Sequence, residues 1–283
     1  MQTELTEHGG SSDGPDGQPP RRCLSLTVAG PWGHFRRVDG NTVKATYRLP
    51  PRTTVAGLLA AIAGYDRDGY YDVFDRSRSG IAIQPVESGE NGSTTAPIPR
   101  TMNLPENSLT TSNEGMKAVN ARGKVSVRYP DPNADRQRVN YEVLVDPAYR
   151  VDVWLDDDHA YTRLHDRLAD GRSEYVPSLG LSEFLASVTF HGEYTPEPVA
   201  DDDPIAVDSA LPAPDRIIPS PEHPHGTERS PADMTRTSRR NEFTGRKTTE
   251  FLRWAYSRDG TPIRTDDDGV QAHQIDGRTV VFS

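Results

Sequence analysis

The sequence has one cysteine, few lysines and no long apolar run, and each shortage excludes a class of protein. Cys23 alone forms no internal disulfide and no cysteine-based metal cluster. It opens an apolar stretch, which favours a buried structural thiol over a nucleophile. No run of about 18 apolar residues is present, and residues 1–20 are polar, without an apolar signal region. We therefore expect a soluble, cytoplasmic protein with no membrane partner.

Lysine is scarce and carboxylates are abundant. Only four of the 32 basic residues are lysines, and acidic residues number 42. A carboxylate-rich surface with few lysine stems stays soluble in concentrated salt, where charges are screened within about 3 Å at molar ionic strength. The composition therefore indicates a salt-loving source. Because the acidic excess is then a solvation coat, the net charge of −10 does not exclude a nucleic-acid partner, and local basic segments are informative.

Familiar catalytic motifs are missing as well. The sequence has no glycine loop for nucleotide phosphates, no histidine pair at metal-ligand spacing on a helix and no serine elbow. His223 and His225 lie among prolines and acids, so we predict no metal and no cofactor. Metal-independent RNA cleavage needs a general base and a general acid, and the cluster that could supply them is His34, Lys44 and Tyr47. We favour structural or RNA-positioning roles for these three residues.

The order of apolar patterns predicts an α+β fold. Residues 1–22 have the composition of a disordered tail. Alternating apolar residues predict a strand over Cys23–Ala29, and the spacing of Val55, Leu58 and Leu59 predicts a helix that Thr53 or Thr54 caps and Gly64 ends. A strand (80–85), two strand pieces (143–155), a helix (159–168) and an apolar run (184–190) follow. Strand, helix, strand, insertion, strand, helix, strand suits a ferredoxin-like sheet with helices on one face, over residues 23–195.

Three segments fall outside this pattern. Residues 98–140 lack apolar periodicity and form the insertion. Residues 196–236 are rich in proline and acid, which favours a solvated loop or linker. Residues 237–283 return to strand and turn signals, and predict either a small β-rich appendage or a segment that completes the main fold.

Three stretches break the acidic trend. Residues 34–52 carry five basic residues against Asp39, residues 98–140 carry seven against four, and residues 229–258 carry eight against three. Basic segments in an acidic chain suggest an anionic partner, and arginine suits it because the guanidinium binds phosphate oxygens in pairs and stacks on bases. The alternative is that each arginine pairs with a neighbouring carboxylate. The residues alone leave both open.

Four stretches of this chain resemble one known family. They are LSLTVAGPWGHFR at 24–36, TYRLPPRTTVAGLLAAIAG at 46–64, VLVDPAY at 143–149 and PSLGLSEF at 177–184. The chain is identified by them as similar to CRISPR-associated (Cas) protein family five, in the repeat-associated mysterious protein (RAMP) superfamily. The similarity is specific in the first 65 residues, moderate to residue 195 and weak beyond. With the halophilic composition, it points to a haloarchaeal member serving a type I-B system.

The resemblance implies a fold and a function. It implies an RRM-like core, a β-hairpin thumb at about 98–140, and a non-catalytic subunit that holds the 5′ handle of the CRISPR RNA (crRNA) in the Cascade complex during antiviral defence. The implied partners are crRNA, the backbone and large subunits of Cascade and, indirectly, target DNA. On this basis the expected RNA-binding residues are His34, Arg36, Arg37, Lys44, Tyr47, Arg52, Arg100, Lys117, Arg122, Lys124, Arg128 and Gly180. Gly180 belongs to a loop that resembles the superfamily's glycine-rich loop, where backbone N–H groups approach phosphates.

Two other functions remain open. One subtype of the family cuts the crRNA precursor, and its members are similar in using a tyrosine near the first helix with an adjacent lysine and histidine in the thumb. Tyr47 matches the tyrosine, but Ala118 follows Lys117 and no histidine occurs between His34 and His159. A metal-independent endoribonuclease is therefore the runner-up. A protein-interaction adaptor in the same complex is the third hypothesis.

Overall fold

The structure is a computed structural model that describes residues 20–37, 43–86, 99–107, 136–199, 204–212, 214–237, 245–267 and 269–283. It is mostly β-sheet with two helices. The first part comprises β1 (Cys23–Ala29), β2 (Trp32–Gly33), β3 (Phe35–Arg36), β4 (Val43–Lys44), β5 (Thr46–Tyr47), α1 (Arg52–Ala63), β6 (Ser79–Pro85), β7 (Pro99–Asn107), β8 (Arg136–Val145), β9 (Ala148–Leu155), α2 (Asp158–Ala169) and β10 (Ser187–Tyr194). The second comprises β11 (Glu197–Pro198), β12 (Ile205–Val207), β13 (Leu211–Pro212), β14 (His225–Thr237), β15 (Gly245–Ser257), β16 (Ile263–Thr265), β17 (Ala272–Ile275) and β18 (Arg278–Val281).

A four-stranded sheet carries the two helices on one face. Its strand order is β10-β1-β9-β6, and every neighbouring pair is antiparallel. The alternation in β1 turns Leu24 and Leu26 toward the helices, where they share one apolar cluster with Leu59 of α1 and Leu164 of α2. The predicted first strand is confirmed with its bounds, and the strands and helices follow the predicted order.

The first helix begins differently from the sequence prediction. Its cap residue is Pro51, which makes no side-chain hydrogen bond, so the prediction of Thr53 or Thr54 as cap is wrong. The proline ring sets φ at −53° for the turn into the helix, and the Pro51 carbonyl accepts the N–H of Thr54 at 2.8 Å. Gly64 ends the helix as predicted, with a left-handed φ of +81°.

A β-hairpin arm leaves the sheet through β7 and β8. The two strands pair in register from Pro99↔Leu144 to Asn107↔Arg136. Near its base, β2 and β4 also pair with β8. β7 falls within the predicted 98–140 insertion, whereas β8 begins in it and continues to Val145, into the predicted strand piece at 143. Lys117, Arg122, Lys124 and Arg128 lie outside the described residues.

The C-terminal part belongs to the main fold. Ile275, Val280 and Phe282 pack against Cys23 and Trp154 on the sheet face opposite the helices. Burial there raises the pKa of the Cys23 thiol, as expected for a structural cysteine. The last strands, at 272–281, therefore complete the main fold rather than form a separate appendage.

Much of the segment 196–236 is strand rather than linker. Residues 225–237 form β14, which pairs with β15 along its whole length. Proline is compatible with this pairing because β14 is the edge strand of its sheet, and Pro231 lies beside a register shift. Val207 and Leu211 from the same segment are buried in a further apolar cluster. The proline and acid content of this segment therefore led to a wrong prediction of loop or linker over residues 225–236.

Candidate nucleic-acid interface

His34 joins three segments of the chain. The His34 backbone N–H donates to the Leu179 carbonyl at 3.0 Å. Its ring packs edge-on against Tyr141, with centroids 5.0 Å apart, and Nδ1 lies 2.7 Å from the Glu142 carbonyl oxygen. Because a carbonyl only accepts, Nδ1 carries the ring proton and donates it. The ring is 1% exposed, and Nε2 has no hydrogen-bond partner among the described residues.

His34 makes the stability of the protein depend on pH. Burial lowers its pKa below 6.5, because charging the ring in this site costs solvation. The unfolded chain then binds the proton more readily, so the free energy of unfolding should fall as pH drops from 6.5 toward the folded pKa. We expect a smaller fall in His34→Asn than in wild type, measured by urea unfolding at about pH 5.5 and about pH 7.5. Equal slopes in both proteins would contradict the assignment, and His191, which also titrates, is common to both.

Gly180 fits against His34 in a way that no other residue can. Its φ is +95°, and a Cβ added there would lie 1.9 Å from the His34 carbonyl oxygen. The loop around it is tied down by the Leu179 N–H, which donates to the Phe184 carbonyl at 2.8 Å. The glycine thus holds residues 177–185 against the β2–β3 connection, beside the basic residues that follow His34.

Arg36, Arg37 and Lys44 form a cationic patch, which we call the loop surface. Arg36 is the register partner of Thr46, and the Arg37 N–H donates to the Ala45 carbonyl at 2.9 Å. Lys44 donates to the Tyr141 hydroxyl at 3.2 Å. The side chains of Arg36 and Arg37 are exposed, and neither forms an ion pair with a described residue. Both are therefore open to an anion from solvent.

Two glutamates near the loop surface bind backbone rather than arginine. Glu142 accepts the N–H of Thr46 at 3.0 Å. Glu228 accepts the N–H of Arg48 at 2.9 Å and that of Leu49 at 3.2 Å, and burial raises the pKa of its carboxyl. Their oxygens hold the chain that leads into α1, and the Glu228 carboxyl also interacts electrostatically with Arg48 and Arg37.

Besides His34, two further residues predicted to bind RNA are internal. Arg52 is 1% exposed, and its guanidinium donates to the carbonyls of Ser283, Phe74 and Ser79, among other acceptors. Tyr47 is 7% exposed and packs in the main core, with the Arg37 guanidinium 5.4 Å above its ring. The structure therefore gives Arg52 and Tyr47 structural roles, and the RNA contact predicted for Arg52 has no donor left to make it.

Arg100 lies near the loop surface and is exposed on β7, opposite Val143 of β8. Sequence reasoning missed two aromatic residues on the adjoining strands. Trp32 is 36% exposed and pairs with β8, and Tyr141 carries Lys44 5.1 Å above its ring. The signal for Trp32 was the break at Gly30-Pro31, which places the next residues at a surface turn.

The site thus combines exposed arginines, a lysine on a tyrosine, an exposed tryptophan and a close glycine contact, beside a hairpin arm. Residues 23–270 match the model of the CRISPR-associated protein family Cas5. This chain belongs to the Cas5 family. The matched range includes the loop surface, the Gly180 loop and most of the C-terminal strands. No curated protein matches the sequence.

Solved structures related to this Cas5 protein are distant in sequence. A CRISPR protein from Archaeoglobus fulgidus is 13% identical, with a TM-score of 0.48, over 92% of this chain and 98% of the other. A chain of a CRISPR RNA-guided surveillance complex is 17% identical, with a TM-score of 0.42, over 86% and 90%. A chain of the Type III-B Cmr-beta complex bound to cognate target RNA is 12% identical, with a TM-score of 0.42, over 86% of each.

Two further observations concern the described part of this Cas5 chain. No group of three or more His, Cys, Asp or Glu side chains there could hold a metal ion. His223, considered above as a metal ligand, instead lies 3.0 Å from Asp259 through Nδ1. No helix among the described residues is long and apolar enough to cross a membrane.

Proposed function

We propose that this Cas5 protein is a non-catalytic subunit of a CRISPR effector complex that binds the 5′ handle of crRNA in a type I-B system. The observation that carries the proposal is the pair of exposed arginines, Arg36 and Arg37, left without a carboxylate partner among the described residues of an acidic chain. Guanidinium groups bind phosphate oxygens two at a time, and a neighbouring exposed ring such as Trp32 can stack on a base.

The topology supports an RRM-like core with a thumb. The order β10-β1-β9-β6 with two helices on one face is the arrangement expected of a ferredoxin-like sheet. In this interpretation the β7–β8 arm is the base of the thumb, and Lys117, Arg122, Lys124 and Arg128 extend the RNA contact beyond the described residues. The face opposite the helices is packed by the C-terminal strands, which leaves the loop surface and the arm for RNA.

The non-catalytic role is supported by the state of the cleavage candidates. A general base must reach the 2′-hydroxyl, but the His34 ring is buried and its Nδ1 is committed to Glu142. Tyr47 is buried, and Lys44 bonds to Tyr141. Partners in this proposal are crRNA, the backbone and large subunits of a Cascade complex and, indirectly, target DNA, in the cytoplasm of a haloarchaeon.

The experiment compares wild type with Arg36→Ala/Arg37→Ala for binding of a labelled RNA with the repeat-derived 5′ handle. We expect an affinity loss of about tenfold, and a salt slope that is smaller in magnitude by about 1.4, since two phosphate contacts are removed. The matched control is Arg21→Ala/Arg172→Ala, which removes the same charge from exposed positions on other segments.

The same protein is incubated with the crRNA precursor, without metal, to test for cleavage. An intact precursor together with the expected affinity loss supports the binding role. Cleavage at one position by the protein alone would replace it with the endoribonuclease function, and His34 and Tyr47 would be tested next. Wild-type affinity in the double variant would contradict the contact assigned to Arg36 and Arg37. No binding of the handle RNA by wild type would leave the adaptor hypothesis.

A further inference from the structure

The outer face of the β14–β15 hairpin is a second cationic surface, apart from the loop surface. Side chains alternate along the two strands, so that Ala232, Leu252 and Trp254 are buried on the inner face. The exposed outer face, which we call the ribbon face, carries Arg229, Thr235, Lys247, Thr249, Phe251 and Arg253. These include three basic side chains, and Thr249 donates to the carboxylate of the half-buried Asp233 at 3.3 Å.

The basic side chains of the ribbon face form few ion pairs with the described residues of the protein. Arg229 and Arg253 are direct cross-strand partners, an arrangement of like charges that destabilises a sheet unless an anion is present. Arg253 reaches Asp215 at 3.3 Å, but Arg229 and Lys247 form no ion pair with a described residue. The arginine pair on the inner face differs, because Arg236 and Arg246 both bond to Asp68.

An aromatic ring is available beside these cations. Phe251 is 40% exposed, although it is a large apolar side chain, and the Arg229 guanidinium lies 4.9 Å above its ring. Cations that follow a backbone and an exposed ring on which a base can stack are the features of a surface for single-stranded nucleic acid. A folded protein partner would more often cover a larger apolar patch than one ring.

We propose that the ribbon face binds single-stranded RNA as it leaves the loop surface. Glu228, the residue before Arg229, holds the backbone of Arg48 and Leu49, so the base of the hairpin adjoins the loop surface. From Thr227 to Thr235 the outer face runs for about 27 Å, enough for several nucleotides. The inference rests on the proposed function, since it extends the same RNA path.

The test compares a short handle RNA with one extended at the end that reaches the ribbon face. Wild type should bind the extended RNA more tightly, and Arg229→Ala/Lys247→Ala/Arg253→Ala should lose that gain while binding the short RNA normally. For the extended RNA, the slope of log affinity against log salt concentration should be smaller in magnitude in the triple variant than in wild type by about 2, because three phosphate contacts are lost. Phe251→Ala should lower the affinity for the extended RNA about tenfold, whereas Phe251→Tyr should leave that affinity unchanged.

Arg21→Ala/Arg78→Ala/Arg172→Ala is the control of equal charge, and thermal melts verify that every variant is folded. If wild type binds neither RNA, the proposed function fails and this inference fails with it. If wild type binds both and the ribbon variant keeps its gain for the extended RNA, only the inference fails. A gain for an extension made of DNA but not for one made of RNA also overturns the assignment.

Discussion

Replacing Arg52 by methionine is expected to lower the free energy of unfolding by about 4 kcal/mol. The guanidinium donates to five acceptors: the carbonyls of Ser283 (2.8 Å), Phe74 (2.8 Å), Ala232 (3.4 Å) and Ser79 (3.0 Å), and the Ser79 hydroxyl (2.7 Å). Methionine keeps the apolar volume but removes these five hydrogen bonds. The Ser283 carbonyl still accepts the Ile81 N–H at 3.2 Å, whereas the other acceptors lose a donor inside the protein. Each unsatisfied acceptor costs about 1–3 kcal/mol, partly offset because no charge is buried.

Arg52→Lys is the control, because lysine keeps the charge but offers three donors instead of five. We expect it to cost about half as much as methionine in urea unfolding. Burial lowers the pKa of Arg52 to about 9, so the group stays charged at neutral pH and both comparisons are valid there. Unchanged stability of Arg52→Met would contradict the structural role. Normal stability with a loss of RNA affinity would return Arg52 to the RNA-binding set.

Local sequence patterns predicted an element correctly where its formation depends on neighbouring residues. The alternation in β1 and the glycine at the end of α1 are properties of neighbouring residues, and both predictions are confirmed. The prediction for residues 225–237 was wrong because their strand depends on pairing with residues 245–257, later in the chain. Proline and acid content describes a segment in isolation, and cannot show that a partner strand will accept it at a sheet edge.

The residues of the candidate site show the same difference between local and long-range determinants. The basic loop was visible as an excess of arginine over acid, and Arg36 and Arg37 are exposed there. Arg52 belongs to the same run, but its acceptors lie as far as 231 residues away in the chain, so its burial could not be predicted locally. Trp32 and Tyr141 were missed because their surroundings depend on long-range pairing. Trp32 pairs with Val145 of β8, and Tyr141 of β8 contacts Lys44, 97 residues away in the chain.

Substituting alanine for Gly180 is expected to lower the free energy of unfolding by about 3 kcal/mol and the affinity for the handle RNA about tenfold. A Cβ at this position would lie 1.9 Å from the His34 carbonyl oxygen, whereas carbon and oxygen normally approach no closer than about 3.3 Å. The Gly180 loop would therefore move by more than about 1 Å, and the bond from the His34 N–H to the Leu179 carbonyl would be strained or broken.

Gly171→Ala separates this contact from backbone strain. Gly171 also has a left-handed φ, +63°, but a Cβ there would have no atom within 4 Å. We expect it to cost about 1 kcal/mol, the strain of the left-handed conformation alone, and to leave RNA affinity unchanged. The excess cost of Gly180→Ala measures how firmly the loop is held against His34. Arg36 and Arg37 are separated from His34 by Phe35 alone. Equal effects of the two substitutions would therefore mean that the Gly180 loop does not shape the loop surface, and that its glycine serves only the turn.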